Sequence, residues 1–272
     1  MKTDYHLHTA YSDDSIYPLE DLVKDAIQLG LKEICVTDHV DYGVKYDRDD
    51  PNRPKDAVLN VDYPAYFDEL EKLQQVYGSQ ITIKKGLEFG VQLHTVDAFE
   101  RLFETYPLDF VLLSIHQIDD LEFWTQDFQK GRSQKEYNEH YYSYLYDVMS
   151  RFSHYSVLSH LDLIVRYDKQ GRYPFEQVKP LLEKILKKVI ADGKGIEVNT
   201  SSFQYGLDDL MPSRDILRLY HDLGGTIITI GSDAHTKQYV GNQIEDVKQE
   251  LKSMGFTHFH TFEAMKPIAH EL

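Results

Sequence analysis

Phe110-Val111-Leu112-Leu113-Ser114-Ile115 is the most strand-like run in the chain, and it ends on His116. The same unit recurs in both directions: a short apolar strand, a metal-capable residue at its C-terminal end, then a helix. Toward the N-terminus, Ile81-Thr82-Ile83 leads into Gly86-Leu87-Glu88, Glu33-Ile34-Cys35-Val36-Thr37 into Asp38-His39, and residues 3–8 into His6-Leu7-His8. Toward the C-terminus, Val157-Leu158-Ser159 ends at His160, Gly195-Ile196-Glu197-Val198 at Asn199, and Thr226–Gly231 at Ser232-Asp233-Ala234-His235. Apolar periodicity and stop signals predict helices from Pro18 to about Gly30, then over Pro64–Tyr77, Val96–Tyr106, Gln134–Arg151, Phe175–Ala191, Pro212–Leu223 and Ile244–Ser253. Phe256–Phe262 reads as one more short strand. Strands alternating with helices make βαβ units and a mainly parallel sheet. Seven such units favour a closed TIM-like α/β barrel. No glycine-rich loop follows the first strand, which removes the main argument for a dinucleotide-binding sheet. No linker or short repeat interrupts residues 1–272, so a single domain is expected.

The chain has 272 residues, 42% of them hydrophobic, which suits one barrel and supplies a core that needs no staple. Its formal net charge of -16 repels phosphate backbones and argues against nucleic-acid partners. The one cysteine, Cys35, excludes an intrachain disulfide framework and reads as a small core residue. No apolar run approaches the ~20 residues of a membrane span, and no signal-peptide pattern opens the chain, so a cytoplasmic protein without membrane association is expected. Between about Val40 and Asn60 lies a polar segment with two prolines and no helical period, read as a lid or binding loop.

In a parallel barrel all strand C-termini meet on one face, where barrel active sites are built. Six of the seven strands here end in His, Asp or Glu. His6 and His8 share one face of an extended strand, because side chains alternate with period two, and neutral imidazoles so placed can reach one cation. The remaining histidines, His140, His154, His221, His258, His260 and His270, are read as solvated, and His94 is ambiguous.

His6-Leu7-His8-Thr9, Thr37-Asp38-His39, Glu88, His116, His160 and Gly231-Ser232-Asp233-Ala234-His235 together resemble the PHP (polymerase and histidinol phosphatase) family, motif by motif and in order. Leu161-Asp162-Leu163-Ile164-Val165-Arg166 and Glu197-Val198-Asn199-Thr200-Ser201 are most similar to its histidinol-phosphatase type. The resemblance implies a distorted (β/α)7 barrel and three divalent metal ions per chain (Zn, Mn or Fe) at the strand C-termini. Carried over by position, His6, His8, Glu88 and Asp233 hold the first ion. Glu88 bridges to a second ion completed by His116 and His160. His39, His235 and an acid of the loop after the first strand hold the third; Asp14, one step before Ser15, is preferred, with Asp13 as the polymerase-like alternative.

The implied activity is hydrolysis of L-histidinol phosphate to L-histidinol and phosphate in histidine biosynthesis. Two cations sharing Glu88 would lower the pKa of a water between them from ~15.7 towards ~7, making a bridging hydroxide available as nucleophile. Asp233 is the expected proton carrier and Arg166 the planar cationic fork for phosphate oxygens. Arg214 is a second candidate for the phosphate, and Asn199 is expected to contact substrate or support a ligand. Acidic lid residues would attract the substrate's ammonium and imidazole. The alternatives within the family are a phosphodiesterase or exonuclease and a protein-tyrosine phosphatase. An amidohydrolase-type barrel commonly places a lysine at a strand end, and none is found here. A barrel holding metals without catalysis is disfavoured by the full ligand set. Oligomeric state is not legible.

Overall fold

The computed structural model describes residues 1–272. Seven parallel strands follow one another around the sheet in sequence order: β1 (Thr3–Asp4), β2 (Glu33–Val36), β3 (Thr82–Gly90), β4 (Phe110–Ser114), β5 (Val157–Leu158), β6 (Gly195–Asn199) and β7 (Ile228–Gly231). After a break, β2 resumes at His39–Val40, which pairs with β3 opposite Glu88 and Phe89. The first and last strands meet through Tyr5 N to Ile230 O (3.2 Å), Asp233 N to His6 O (2.8 Å) and His8 N to Ala234 O (3.0 Å). The sheet is thus a nearly closed, irregular barrel, as the alternation of strands and helices predicts. Every residue of β2, β4, β6 and β7 is buried. Strands covered on both faces carry continuous apolar runs, which is why these segments do not alternate with polar residues.

Helices α1 (Leu19–Gln28), α2 (Tyr63–Tyr77), α3 (Val96–Thr105), α4 (Gln134–Arg151), α5 (Phe175–Ala191), α6 (Arg214–Asp222) and α7 (Ile244–Ser253) surround the strands. Their starts follow local chemistry. Ser133 and Glu136 form a reciprocal capping box on α4. Ser213 caps α6, so that helix begins two residues after the predicted Pro212. The apolar faces pack on the barrel in one core of 66 buried residues. No helix is long and apolar enough to cross a membrane.

The predicted single C-terminal strand is instead an antiparallel hairpin, β8 (His258–Glu263) and β9 (Lys266–Glu271). Its turn residues Ala264 and Met265 have φ of 46° and 66°, the left-handed geometry of a two-residue hairpin loop. The hairpin seals the N-terminal mouth of the barrel, where Phe262 packs with Tyr5, Cys35, Phe110, Leu112 and Val157. This packing corrects the reading of His260 as solvated: it is buried, and its ring nitrogen lies 3.4 Å from Ile228 N. Residues 41–60 contain no helix or ladder strand. They are held by Asp47, whose carboxylate accepts from Tyr42, Tyr63 and Asn60, so that acid is structural.

Candidate metal centre

Glu88, fully buried on β3, is the hub of the C-terminal face. Its Oε2 lies 3.2 Å from His6 Nε2, 3.4 Å from His8 Nε2 and 3.0 Å from His39 Nδ1. Its Oε1 lies 3.1 Å from His116 Nε2 and 2.8 Å from His160 Nε2, and accepts from Ser114 Oγ at 2.6 Å. Each carboxylate oxygen therefore faces its own set of imidazoles. Asp233 Oδ1 approaches His6 Nε2 (3.5 Å) and His8 Nε2 (3.4 Å). Burial works against both carboxylates ionising. For Glu88 the imidazoles of His6, His116 and His39 overcome it and hold the pKa well below the usual range. His6, His8, His235 and Arg166 do the same for Asp233.

A further group forms beside these. Asp14 Oδ2 lies 3.1 Å from His235 Nε2 and 3.5 Å from His39 Nε2. Asp13 is engaged elsewhere, at 2.5 Å from Lys45 Nζ on the lid. This geometry favours Asp14 over Asp13 as the acid of that group. All nine expected ligands, His6, His8, Asp14, His39, Glu88, His116, His160, Asp233 and His235, thus converge. His160 (φ 22°) and Asp233 (φ 54°) hold backbone conformations that non-glycine residues rarely adopt. Such strain persists where surrounding structure over-determines it, as it does at this strand-end cluster.

Two carboxylates behind the histidines were not identified as site residues by sequence reasoning. Glu197 Oε1 sits 2.6 Å from His6 Nδ1, and Asp41 Oδ1 sits 2.7 Å from His116 Nδ1. Each fixes its ring so that Nε2 points at Glu88, the arrangement that orients metal-binding histidines. On the other side of the cluster, Ser12 Oγ contacts His8 Nδ1 (3.2 Å) and donates to buried Asp38 (2.6 Å). Glycine is required where these pairs crowd the backbone. A Cβ at Gly90 would come within 1.8 Å of Asp41 Oδ1, and one at Gly231 within 2.7 Å of Glu197 Oε1. Glu197→Gln should lower metal affinity or turnover by about 10–100-fold while every direct ligand remains. Unchanged metal retention and kinetics in that variant would show that His6 needs no carboxylate support.

Arg166 lies on a 3₁₀ turn, Leu163–Tyr167, and lines the pocket above the cluster. Its Nη2 donates to Ser201 Oγ (2.6 Å) and Asp233 Oδ2 (3.4 Å), and its guanidinium sits 4.0 Å from the centre of the Tyr205 ring. Its Nε is buried without a hydrogen-bond partner, and the residue as a whole lines the pocket. Asn199 is fully buried behind the pocket, with its amide 3.3 Å from Asp233 Oδ2. It does not line the pocket, and of its two expected roles this position matches the supporting hydrogen bond. Arg214 is not brought to the site. It pairs with Asp209 (2.8 Å) and Glu250 (2.5 Å), because α6 starts beside those acids. Arg214→Ala should therefore leave kcat/KM unchanged and lower stability by no more than ~1 kcal/mol, read from thermal melts. His94 is half exposed and pairs with Asp120 at 3.2 Å.

The residues fit divalent metal ions. His8 Nε2, His39 Nδ1 and His235 Nε2 are buried ring nitrogens without a hydrogen-bond partner. All three nonetheless lie 3.0–3.4 Å from carboxylate oxygens. Desolvated groups left unmatched in this way are costly, and cations shared between nitrogen and oxygen would satisfy them. The imidazole and carboxylate donor set suits zinc, manganese or iron.

The PHP domain family model matches residues 4–201. The histidinol-phosphatase of Lactococcus lactis subsp. lactis (strain IL1403) is 32% identical over 270 residues, covering 97% of this chain and 96% of its own length. A protein of Thermotoga maritima named "Probable histidinol-phosphatase" is 31% identical over 254 residues, covering 93% and 92%. The crystal structure of the Lactococcus lactis histidinol phosphate phosphatase, complexed with zinc, L-histidinol and phosphate, superposes with a TM-score of 0.85 at 30% identity. That match covers 98% of both chains. With the family model covering most of its length and a relative matched end to end, the chain belongs to the PHP domain family.

Proposed function

We propose that this chain is a metal-dependent histidinol phosphatase, hydrolysing L-histidinol phosphate to L-histidinol and phosphate in cytoplasmic histidine biosynthesis. The observation that carries the reading is the division of Glu88, one oxygen toward His6, His8 and His39 and the other toward His116 and His160. Three divalent ions per chain would be held by His6, His8, Glu88 and Asp233, by Glu88, His116 and His160, and by His39, His235 and Asp14. When bound, such ions lower the pKa of a water towards ~7 and offset charge on phosphoryl oxygens.

The chain's own residues do the rest. Arg166, which lines the pocket, holds phosphate oxygens while Tyr205 and Ser201 fix the guanidinium plane. Asp233 takes a proton from the attacking water and returns it to the departing alkoxide oxygen. Hydrogen bonds from Ser201 (3.1 Å), Asn199 and Arg166 hold its Oδ2 in place for that exchange. The pocket, about 450 Å³, is the size of a small phosphorylated substrate. Phosphate release should be compared across L-histidinol phosphate, glycerol phosphate and phosphotyrosine, and p-nitrophenol release should be followed from bis-p-nitrophenyl phosphate. The first should show the highest kcat/KM. Preference for the diester or for phosphotyrosine would replace this reading with another activity of the family.

A further inference from the structure

Part of the pocket wall has chemistry that the metal centre does not use. Glu122, Trp124, Leu163, Tyr167 and Tyr205 line it. Glu122 and Trp124 lie on either side of Phe123, which is fully buried and packs on Phe128 (5.1 Å) and Tyr141 (5.6 Å). With Phe123 anchored in the core, its two neighbours are turned toward the cavity. Glu122 ends the ribbon in which Gln117–Ile118 pairs with Leu121–Glu122, and Trp124 follows in the next turn. The ribbon's own tight turn places Asp119 and Asp120 at φ of 53° and 60°, and Gln92 grips Asp120 through two 2.8 Å hydrogen bonds.

Two features of this wall ask for a ligand. Among the pocket carboxylates, Asp13 and Asp41 are paired with Lys45, while Asp14, Glu88 and Asp233 face imidazoles or Arg166. Glu122 alone has neither an ion-pair partner nor a side-chain hydrogen bond. It is half-buried, and burial followed by the nearby charge of Asp41 raises its pKa, so a cation beside it would be favoured. Trp124, the single tryptophan, leaves nearly half its surface exposed at 48%, with its ring 6.4 Å from Tyr167. An exposed indole on a pocket wall offers a flat apolar surface that a planar ring would cover.

We propose that Glu122 and Trp124 form the leaving-group subsite, Glu122 accepting the ammonium of an amino-alcohol phosphate and Trp124 the face of its heteroaromatic ring. This assignment rests on the phosphatase reading above and moves leaving-group selection from the acidic lid to the Gln117–Trp124 ribbon. Glu122 and Trp124 are specificity-determining residues, remote from the bond that breaks.

The test uses the metal-loaded enzyme and two readouts. L-Histidinol, the amino alcohol without phosphate, should change Trp124 fluorescence saturably, and Glu122→Gln should raise the apparent Kd about 10–100-fold, the effect of losing one charge-assisted hydrogen bond. In kinetics, Glu122→Gln and Trp124→Leu should each reduce the ratio of kcat/KM for L-histidinol phosphate over glycerol phosphate by about tenfold or more. An emission that ignores L-histidinol, or equal losses on both esters, overturns the subsite. Histidinol binding that depends on Glu122 in a protein inert toward L-histidinol phosphate would preserve the subsite and sink the phosphatase reading instead.

Discussion

Glu88→Gln is expected to lose metal and turnover together, with kcat/KM falling by more than about a hundredfold. Outer-shell partners of metal ligands already account for about 10–100-fold, and Glu88 is placed as a ligand shared between two groups of histidines. Glutamine keeps the shape and removes the charge. One of its two ends becomes an N–H₂ donor, so it cannot offer an oxygen both to the His6, His8 and His39 side and to the His116 and His160 side. The fold should survive, since the 66-residue core between strands and helices does not include Glu88. Elemental analysis and circular dichroism on the purified variant check both parts. Full metal content with normal kinetics would remove the shared-carboxylate role.

Arg166→Ala should keep its metal and lose about ten- to a hundredfold in kcat/KM for every phosphomonoester, the worth of one or more charge-assisted hydrogen bonds. The structure adds a second expectation. Arg166 Nη2 also contacts Asp233 Oδ2 and Ser201, so part of the loss should fall on kcat as Asp233 loses its anchor. Arg166→Lys should recover only part of the activity, because an ammonium cannot reproduce a planar fork stacked on Tyr205. Wild-type kinetics in Arg166→Ala would mean that phosphate is held by other groups.

The residues proposed as direct ligands are legible in the sequence because a parallel barrel gathers its strand ends. Once Phe110–Ile115 and its neighbours are read as strands, His116, His160, Glu88 and the rest must share a face. The supporting carboxylates were harder to see for physical reasons. Asp41 is one acid among several in a segment without periodicity, and its partner His116 lies 75 residues away. Glu197 did carry a signal: a glutamate inside the apolar strand Gly195–Val198 must find a buried partner, and it finds His6, Ser159 and the His160 amide. Arg214 shows the opposite failure. A cation at a helix start resembles an anion site until Asp209 and Glu250, one of them on another helix, are seen to neutralise it. His260 was misread because a lone C-terminal strand exposes alternate residues, whereas the observed hairpin packs its central residues against the barrel.

The central claim is that hydrolysis of L-histidinol phosphate depends on the ions held around Glu88. Phosphate release should be followed while the metal content of the wild-type protein is lowered by a chelator and then restored with zinc or manganese. The account predicts about three ions per chain at full activity, loss of activity in step with the ions, and recovery on reloading. Hydrolysis of L-histidinol phosphate that persists at full rate in metal-depleted protein would contradict it.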